Sequence, residues 1–199
     1  MEPTKQAPQL QLPKLDGSSW NLRDETPENF SMLVFYRGLH CPVCKKYLQN
    51  LTNKLEDFKE RGVHPVAISM DCEERAHKTA REWDIDGLHL VYGMSESTAR
   101  NWGLYISEAI KEEEPEVFSE PALFLVEPNG KIFSASIQNM PFARPKLKDM
   151  LKSIDFVLEE GYPARGGKLK GEASQQPGQE ENPSPFERRV EGGKHKVRP

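Results

Sequence analysis

Two cysteines, Cys41 and Cys44, are separated by only two residues in a chain that contains three cysteines in all. They follow the apolar run SMLVFYR (31–37), which has the length and composition of a buried strand. Pro42 lies between them and fits the first position of a helix, where a missing N–H costs nothing. Cys41 is therefore predicted to be the N-cap residue of a helix, and Cys44 to lie in its first turn.

This placement predicts unequal chemistry for the two thiols. The free N–H groups and the positive dipole end of a helix stabilise a thiolate at the N-cap, so we expect the pKa of Cys41 to fall below ~8.5. Cys44 lies four residues before Leu48, on the face expected to be buried and less open to solvent. Cys41 is thus predicted to attack an oxidised substrate, and Cys44 to resolve the product.

Two other interpretations of the pair remain open. Free cysteines pack well in cores as small hydrophobic residues, so the pair could be structural. A zinc site is the second alternative, but it needs about four ligands, and only Cys72 and scattered histidines could complete one. A C-x-x-C sequence beside a β-α-β pattern favours redox chemistry over both.

The remaining pattern alternates strands and helices, in the order β-α-β-α-β-α-β-β-α after a short N-terminal hairpin at Asp16-Gly17. Such alternation predicts an α/β fold with helices on both faces of a central sheet, and the late hairpin makes that sheet mixed. The predicted strands after the hairpin are 31–37, 64–70, 88–93 and the hairpin 122–137; the predicted helices are 41–61, 73–84, 95–102 and one that opens at Pro145.

Length and composition limit the class of protein. The chain has 199 residues and a net charge of −4, which argues against nucleic acid or an acidic membrane as partner. It has no apolar stretch long enough to span a membrane and no apolar signal-peptide core near its start. We therefore expect a cytoplasmic protein, in which a close cysteine pair indicates redox chemistry rather than a disulfide framework.

The composition changes near Ala164. Residues 164–199 are rich in Gly, Pro and charged residues and contain few apolar ones. Such a segment buries too little surface to offset its ordering entropy. We predict one domain over 1–163 and a flexible polar tail over 164–199, with a bound peptide-like arm as the alternative for the tail.

The segments LVFYRGLHCPVCKKYLQNL, VAISMD and EPALFLVEPNGKI together resemble the peroxiredoxin-like branch of the alkyl hydroperoxide reductase/thiol-specific antioxidant family. The resemblance covers roughly residues 8–163 and implies a thioredoxin-like fold. It also implies reduction of peroxides or disulfides, an external reductant such as thioredoxin or glutathione, and no organic cofactor or metal.

The sequence departs from the family signature Pro-x-x-x-Thr-x-x-Cys. Aligned through CPVC, the family's cysteine falls on Cys44, its threonine on Cys41 and its proline on Arg37. A family arginine before the late strand is replaced by Pro121, which instead resembles the cis-proline that faces the cysteine pair of thioredoxins. These departures favour a thioredoxin-like dithiol and leave Ser119 with a free backbone edge for substrate, if Pro121 is cis.

Several other residues are predicted to support the site. Arg37 could stabilise a thiolate or sulfenate through charge-assisted hydrogen bonds, and His40 could do so when protonated or could shuttle a proton. Cys72 follows the second long strand and is a possible additional resolving thiol. Arg144 is expected to bind an anion or meet solvent, and the acidic segment 109–116 to form a solvated loop.

The sequence thus predicts a thiol-dependent oxidoreductase with antioxidant-type activity that uses a Cys41/Cys44 redox pair. One alternative is a pure thiol–disulfide reductase without peroxidase activity. The other is a non-catalytic binding module of thioredoxin-like fold. Reduction potential and thiol pKa would discriminate them, since an enzyme needs a reactive thiol. The sequence leaves the oligomeric state, the physiological oxidant and the reductant open.

Overall fold

A computed structural model describes residues 1–167 of the chain. Its central feature is a five-stranded sheet in the order β5-β4-β3-β8-β9, in which β3, β4 and β5 are parallel and β8 and β9 are antiparallel to their neighbours. These strands are β3 (Phe30–Phe35), β4 (Val63–Ile68), β5 (His89–Val91), β8 (Ala122–Val126) and β9 (Ile132–Ile137). Every residue of β3 is buried, as expected for the central strand of a sheet covered on both faces.

Helices cover both faces of this sheet, as the sequence predicted. One face carries α1 (Pro42–Thr52), α2 (Leu55–Lys59) and α5 (Leu147–Glu160), which pack on inward residues such as Val34 and Leu125. The other face carries α4 (Glu96–Asn101) and the N-terminal hairpin β1 (Gln11–Pro13) and β2 (Ser19–Asn21). The helix α3 (Glu73–Glu82) connects β4 to β5 on the α1 side.

Two local features differ from the sequence prediction. The single helix expected up to Gly62 is two helices, because Thr52 and Asn53 have low helix propensity and Asn53 ends α1. A second hairpin, β6 (Ile106–Glu108) and β7 (Val117–Ser119), was not predicted. Its strands are short and lack a continuous apolar run, so they carry little sequence signal.

The sheet topology brings the ends of several strands together along one edge of the sheet, where the parallel strands β3, β4 and β5 have their carboxyl ends. Phe35 at the end of β3 pairs with Ala122 at the start of β8, and Ala122 pairs with Ile137 at the end of β9. The parallel strands β4 and β5 also end at this edge. The segments that follow β3, β4 and β9 therefore all meet where α1 begins.

Candidate active site

The cysteine pair lies at the start of α1, as predicted. Cys41 is the N-cap residue, Pro42 begins the helix, and the Cys41 sulfur accepts a hydrogen bond from the Cys44 backbone N–H at 3.2 Å. Cys41 and Cys44 are joined by a disulfide, with their Cα atoms 5.2 Å apart. The N-cap position directs helix N–H groups at the Cys41 sulfur, which stabilises negative charge there once the disulfide opens.

Both cysteines are buried. Their exposed fractions are 1% for Cys41 and 0% for Cys44, so the expected difference in exposure is wrong for the disulfide form. The physical reason is that the N-terminus of α1, which follows β3, packs in the core cluster under α1 and α5. This cluster includes both Cys41 and Cys44. Both sulfurs are therefore closed to solvent in the disulfide form.

The turn before Cys41 is held by an aspartate from the end of β4. Asp71 Oδ2 accepts a hydrogen bond from the Leu39 N–H at 2.8 Å, and Arg75 Nε donates to Asp71 Oδ1 at 2.9 Å. Gly38 has φ +125°, and a Cβ there would stand 2.6 Å from Asp71 Oδ1. Because a side chain at position 38 would clash with the carboxylate, only glycine allows the turn to approach Asp71 so closely. Burial raises the pKa of Asp71, and the hydrogen bonds from Arg75 and Leu39 offset part of this increase.

Arg37 is engaged by carboxylates. Its Nη2 donates to Glu114 Oε1 at 3.4 Å, its Nε lies 3.5 Å from Glu120 Oε1, and its guanidinium lies 4.5 Å from the centre of the Phe118 ring. Within residues 1–167, the polar partners of Arg37 are these carboxylates and not a cysteine sulfur. The predicted contact between Arg37 and a thiolate is therefore absent from this form of the site.

Glu114 comes from the acidic segment that the sequence predicted to be a solvated loop. Its side chain is only 7% exposed, and its second oxygen accepts a hydrogen bond from the Ile110 N–H at 2.8 Å. That backbone bond is the main cause that lowers the pKa of Glu114, with a further contribution from Arg37. The loop between β6 and β7 thus reaches over the site, which charge content alone did not indicate.

His40 lies beside the pair but is not a cation near neutral pH. Its ring lies 4.7 Å from that of Phe118, and its Nδ1 lies 3.5 Å from Arg75 Nη2. Burial, followed by the nearby Arg37 charge, lowers the pKa of His40 from 6.5 to about 4. A protonated His40 therefore does not stabilise a thiolate at neutral pH, and the remaining predicted role is proton transfer by the neutral ring.

The predicted cis bond at Pro121 is wrong. No cis peptide bond occurs in the described part of the chain, so Glu120–Pro121 is trans. The chain passes extended from β7 into β8: the Glu120 N–H donates to the Tyr105 carbonyl, and the Pro121 carbonyl accepts from the Gln138 N–H. Ser119 is paired with Ile106 in the β6–β7 ladder. The bond from Glu120 to Tyr105 makes Ser119–Ile106 a non-hydrogen-bonded pair of this ladder, so the pairing leaves the Ser119 N–H and carbonyl directed away from β6, and the substrate edge expected there stays a prediction.

Cys72 lies at the predicted edge of the sheet. It is the N-cap residue of α3, directly after Asp71, and its thiol is free and exposed. Its role as an additional thiol remains a prediction.

Arg144 makes a contact with the pair that the sequence interpretation did not assign. Its Nη2 donates a hydrogen bond to the Cys44 sulfur at 2.8 Å, and its guanidinium lies 5.0 Å from the centre of the Tyr47 ring. One signal could have located it: β9 runs parallel to β3 in space, so the loop after β9 returns to the edge where α1 begins.

Residues 1–167 offer neither of two other kinds of site. No group of three or more His, Cys, Asp or Glu side chains is arranged to hold a metal ion there. No helix among these residues is both long and apolar enough to cross a membrane.

Comparison with known proteins identifies the family. The model of the AhpC/TSA family matches residues 3–135, which is more than half of the chain. Alkyl hydroperoxide reductase C of Helicobacter pylori is 23% identical over 184 residues, which cover 85% of this chain and 88% of that protein.

Solved structures agree on the fold. Peroxidoxin BcpB of Mycobacterium tuberculosis superposes with a TM-score of 0.65 at 18% identity, over 79% of this chain and 98% of that one. A putative thiol:disulfide interchange protein DsbE of Chlorobium tepidum gives 0.59 at 21% identity, over 79% and 97%. The family match, the thioredoxin-like fold and the joined cysteine pair lead to one conclusion: the chain belongs to the AhpC/TSA family and is a thiol-dependent oxidoreductase.

Proposed function

We propose that the Cys41–Cys44 pair reduces a peroxide or a disulfide and is returned to the dithiol by an external thiol reductant. The observation that carries this proposal is the disulfide itself, placed with Cys41 as the N-cap of α1. A helix N-terminus lowers the free energy of a thiolate relative to the thiol, and the thiolate is the nucleophile in both reactions.

With a peroxide, the Cys41 thiolate attacks one oxygen and the O–O bond breaks. The sulfur is oxidised to a sulfenic acid, and the peroxide is reduced to an alcohol or water, with the leaving oxygen taking a proton from solvent or a neighbouring group. The Cys44 thiolate then attacks the Cys41 sulfur, the S–O bond breaks, and the oxygen leaves as water once protonated. The product is the disulfide present in the structure.

With a disulfide substrate, the Cys41 thiolate attacks one substrate sulfur and expels the other as a thiolate. A mixed disulfide forms, and Cys44 displaces the substrate from it. In both cases two thiols of an external reductant are oxidised to a disulfide as Cys41 and Cys44 regain their protons. Thioredoxin and glutathione are the reductants we propose, and their supply fits a cytoplasmic protein.

Two features bear on the choice of oxidant. The curated relative is named an alkyl hydroperoxide reductase, which makes organic hydroperoxides a candidate substrate class. The second candidate function, disulfide reduction without peroxidase activity, is favoured by Cys41 at the family's threonine position, because the hydroxyl of that threonine is missing. Either oxidant reacts through the same pair.

Stopped-flow oxidation of the reduced protein tests the proposal and separates the two candidates. Reduced protein is mixed with hydrogen peroxide, an organic hydroperoxide or a small model disulfide, and tryptophan fluorescence is followed. We expect a fast change with at least one oxidant, absent from Cys41→Ser. A fast change with the disulfide alone would favour the second candidate. Equal, slow rates for the native protein and Cys41→Ser would overturn both.

A further inference from the structure

The loop that follows β9 directs an arginine at the cysteine pair. Arg144 Nη2 donates to the Cys44 sulfur at 2.8 Å, although the two residues are a hundred positions apart. The position where the sequence resemblance expects an arginine holds Pro121 instead. The arginine that contacts the cysteine pair therefore lies in the loop between β9 and α5, and not before β8 as in the family.

Tyr47 contacts both the Arg144 side chain and the backbone of the next residue. Its ring lies beneath the Arg144 guanidinium, 5.0 Å from centre to Cζ, and its hydroxyl donates to the Pro145 carbonyl at 2.8 Å. Tyr47 belongs to α1, three residues after Cys44, so the same helix carries the sulfur and the support for its cation. This double contact fixes both the side chain of Arg144 and the backbone next to it.

The backbone before Arg144 is strained in a way that serves this placement. Ala143 has φ +56°, in the left-handed region that non-glycine residues seldom adopt. Such a conformation is unfavourable for alanine and persists where surrounding contacts over-determine it. Here those contacts are the stacking on Tyr47 and the bond to Cys44.

The positive charge of Arg144 is not neutralised by an ion pair, and two of its three guanidinium nitrogens have no hydrogen-bond partner among the described residues. Within the described residues it forms no ion pair within 4.0 Å, and its Nε and Nη1 are buried without a hydrogen-bond partner. Burial lowers the pKa of Arg144 to about 10, so the group remains a cation at neutral pH. The Glu120 charge favours this half-buried cation only from beyond ion-pair distance, and the Arg37 charge disfavours it, so an anion in direct contact with Arg144 would complete the site.

We propose that this anion is the Cys44 thiolate, which Arg144 stabilises whenever the disulfide opens, with Tyr47 as the positioning residue. The inference rests on the proposed function of the pair. During oxidation, the Cys44 thiolate is the nucleophile that displaces oxygen or a substrate thiol from Cys41.

During reduction the same thiolate is the leaving group. A reductant thiolate attacks the Cys41 sulfur, the S–S bond breaks, and the electron pair stays on the Cys44 sulfur beside Arg144. Since a stabilised leaving thiolate departs faster, Arg144 should accelerate this step. It should also make the disulfide more oxidising, because it lowers the free energy of the reduced form.

The decisive test isolates the Cys44 thiol. In a Cys41→Ser/Cys72→Ser protein, where the serine that replaces Cys41 can still cap α1, only Cys44 remains, and ultraviolet thiolate absorbance gives its titration midpoint. Arg144→Met, which keeps the apolar stem without charge, should raise the midpoint by about one unit or more, and Arg144→Lys should restore part of the shift. If Arg144→Met does not fold, Arg144→Gln replaces it with the same expected result.

A second readout uses the native cysteines. In a thiol–disulfide redox buffer, Arg144→Met should shift the exchange equilibrium about tenfold towards the disulfide, which is ~30 mV towards a more negative potential. Tyr47→Leu should shift it in the same direction by a smaller factor. Arg100→Gln, which removes an exposed arginine of α4, is the control and should behave as the native protein.

Identical Cys44 midpoints and identical potentials in the native protein and the Arg144 variant would overturn the inference. Neither readout uses a peroxide or a substrate disulfide, so a failure of the proposed function is separable. Shifts in a protein that turns over no oxidant would support Arg144 and refute the function. Turnover of an oxidant without a shift in the Cys44 midpoint or in the potential would support the proposed function and overturn the inference about Arg144.

Discussion

At the scale of single residues, the two sulfurs of the site differ in the groups that donate hydrogen bonds to them. The Cys41 sulfur accepts a backbone N–H of α1, whereas the Cys44 sulfur accepts a guanidinium N–H from Arg144. Both contacts stabilise negative charge, so both thiols can serve as thiolates at different steps. The order of those steps, with Cys41 first, is the part that mutation tests.

Trapping on single-cysteine variants tests the order of attack. In a Cys72→Ser background, Cys44→Ser should accumulate a sulfenic acid or mixed disulfide on Cys41, because the resolving thiol is gone. Cys41→Ser should lose turnover entirely. Peptide mass spectrometry after trapping locates the adduct. Adducts found on Cys44 of the Cys72→Ser parent would show that Cys44 attacks first, as the family alignment through CPVC implies.

The neutral His40 predicts a pH-dependent stability. Its pKa is lowered from 6.5 to about 4, so the unfolded state binds more protons than the folded state between these values. The contribution to stability is therefore complete above pH 6.5 and is lost as the pH falls towards 4. Urea unfolding across this window should show a smaller acid loss in His40→Gln than in the native protein.

The control for this measurement is His89→Gln, which changes an exposed histidine of β5. Its acid loss should match that of the native protein. An equal acid loss in His40→Gln and the native protein would contradict the burial of a neutral His40.

At the scale of elements, the turn between β3 and α1 depends on Asp71 at the end of β4. Gly38→Ala should destabilise the protein by about 2 kcal/mol or more, since it adds a clash with the carboxylate to the strain of a positive φ. Gly17→Ala is a matched control, because Gly17 has φ +80° but nothing within 4 Å of an added Cβ. Thermal and urea unfolding compare the two.

The larger loss in Gly38→Ala should come with slower oxidation of the pair, because Leu39 would lose its bond to Asp71. Equal losses in the two glycine variants would show that the approach to Asp71 contributes nothing.

Local signals explain which elements the sequence predicted well. Pro42 after a capping residue, Ser95 before α4 and the Pro-Asn-Gly turn of the late hairpin act over a few residues, and each feature is present. The prediction was wrong where distant segments decide. The trans bond at Pro121 follows from strands on both sides of it, and Arg37 is engaged by Glu114 through a loop about eighty positions away. Arg144 needed the sheet topology before its contact with Cys44 could be inferred.

At the scale of the whole molecule, the division into a domain over 1–163 and a tail over 164–199 stays a prediction. Ala164, the first residue of the predicted tail, packs on the core cluster that includes the cysteine pair. Most of the predicted tail, and the bound-arm alternative for it, lie outside the described residues.

Truncation tests this division. A chain that ends after Gly167 should melt within about 2 °C of the full chain and keep its oxidation rate, because a tail of such composition contributes few apolar contacts. Truncation after Pro163 is the comparison and should cost more, through the loss of Ala164. A fall of about ten degrees after Gly167 would instead favour the bound arm.

The most direct test of the whole account is the chemical state of the cysteines after one turnover. The fully reduced protein is mixed with one equivalent of the oxidant that reacts fastest in stopped flow, quenched by alkylation, digested and mapped by mass spectrometry. We expect Cys41 and Cys44 to be joined in one peptide pair while Cys72 is alkylated, and an added thiol reductant should restore alkylation of all three. Oxidation that maps to Cys72, or a Cys41–Cys44 pair that stays reduced while oxidant is consumed, would contradict the proposed redox pair.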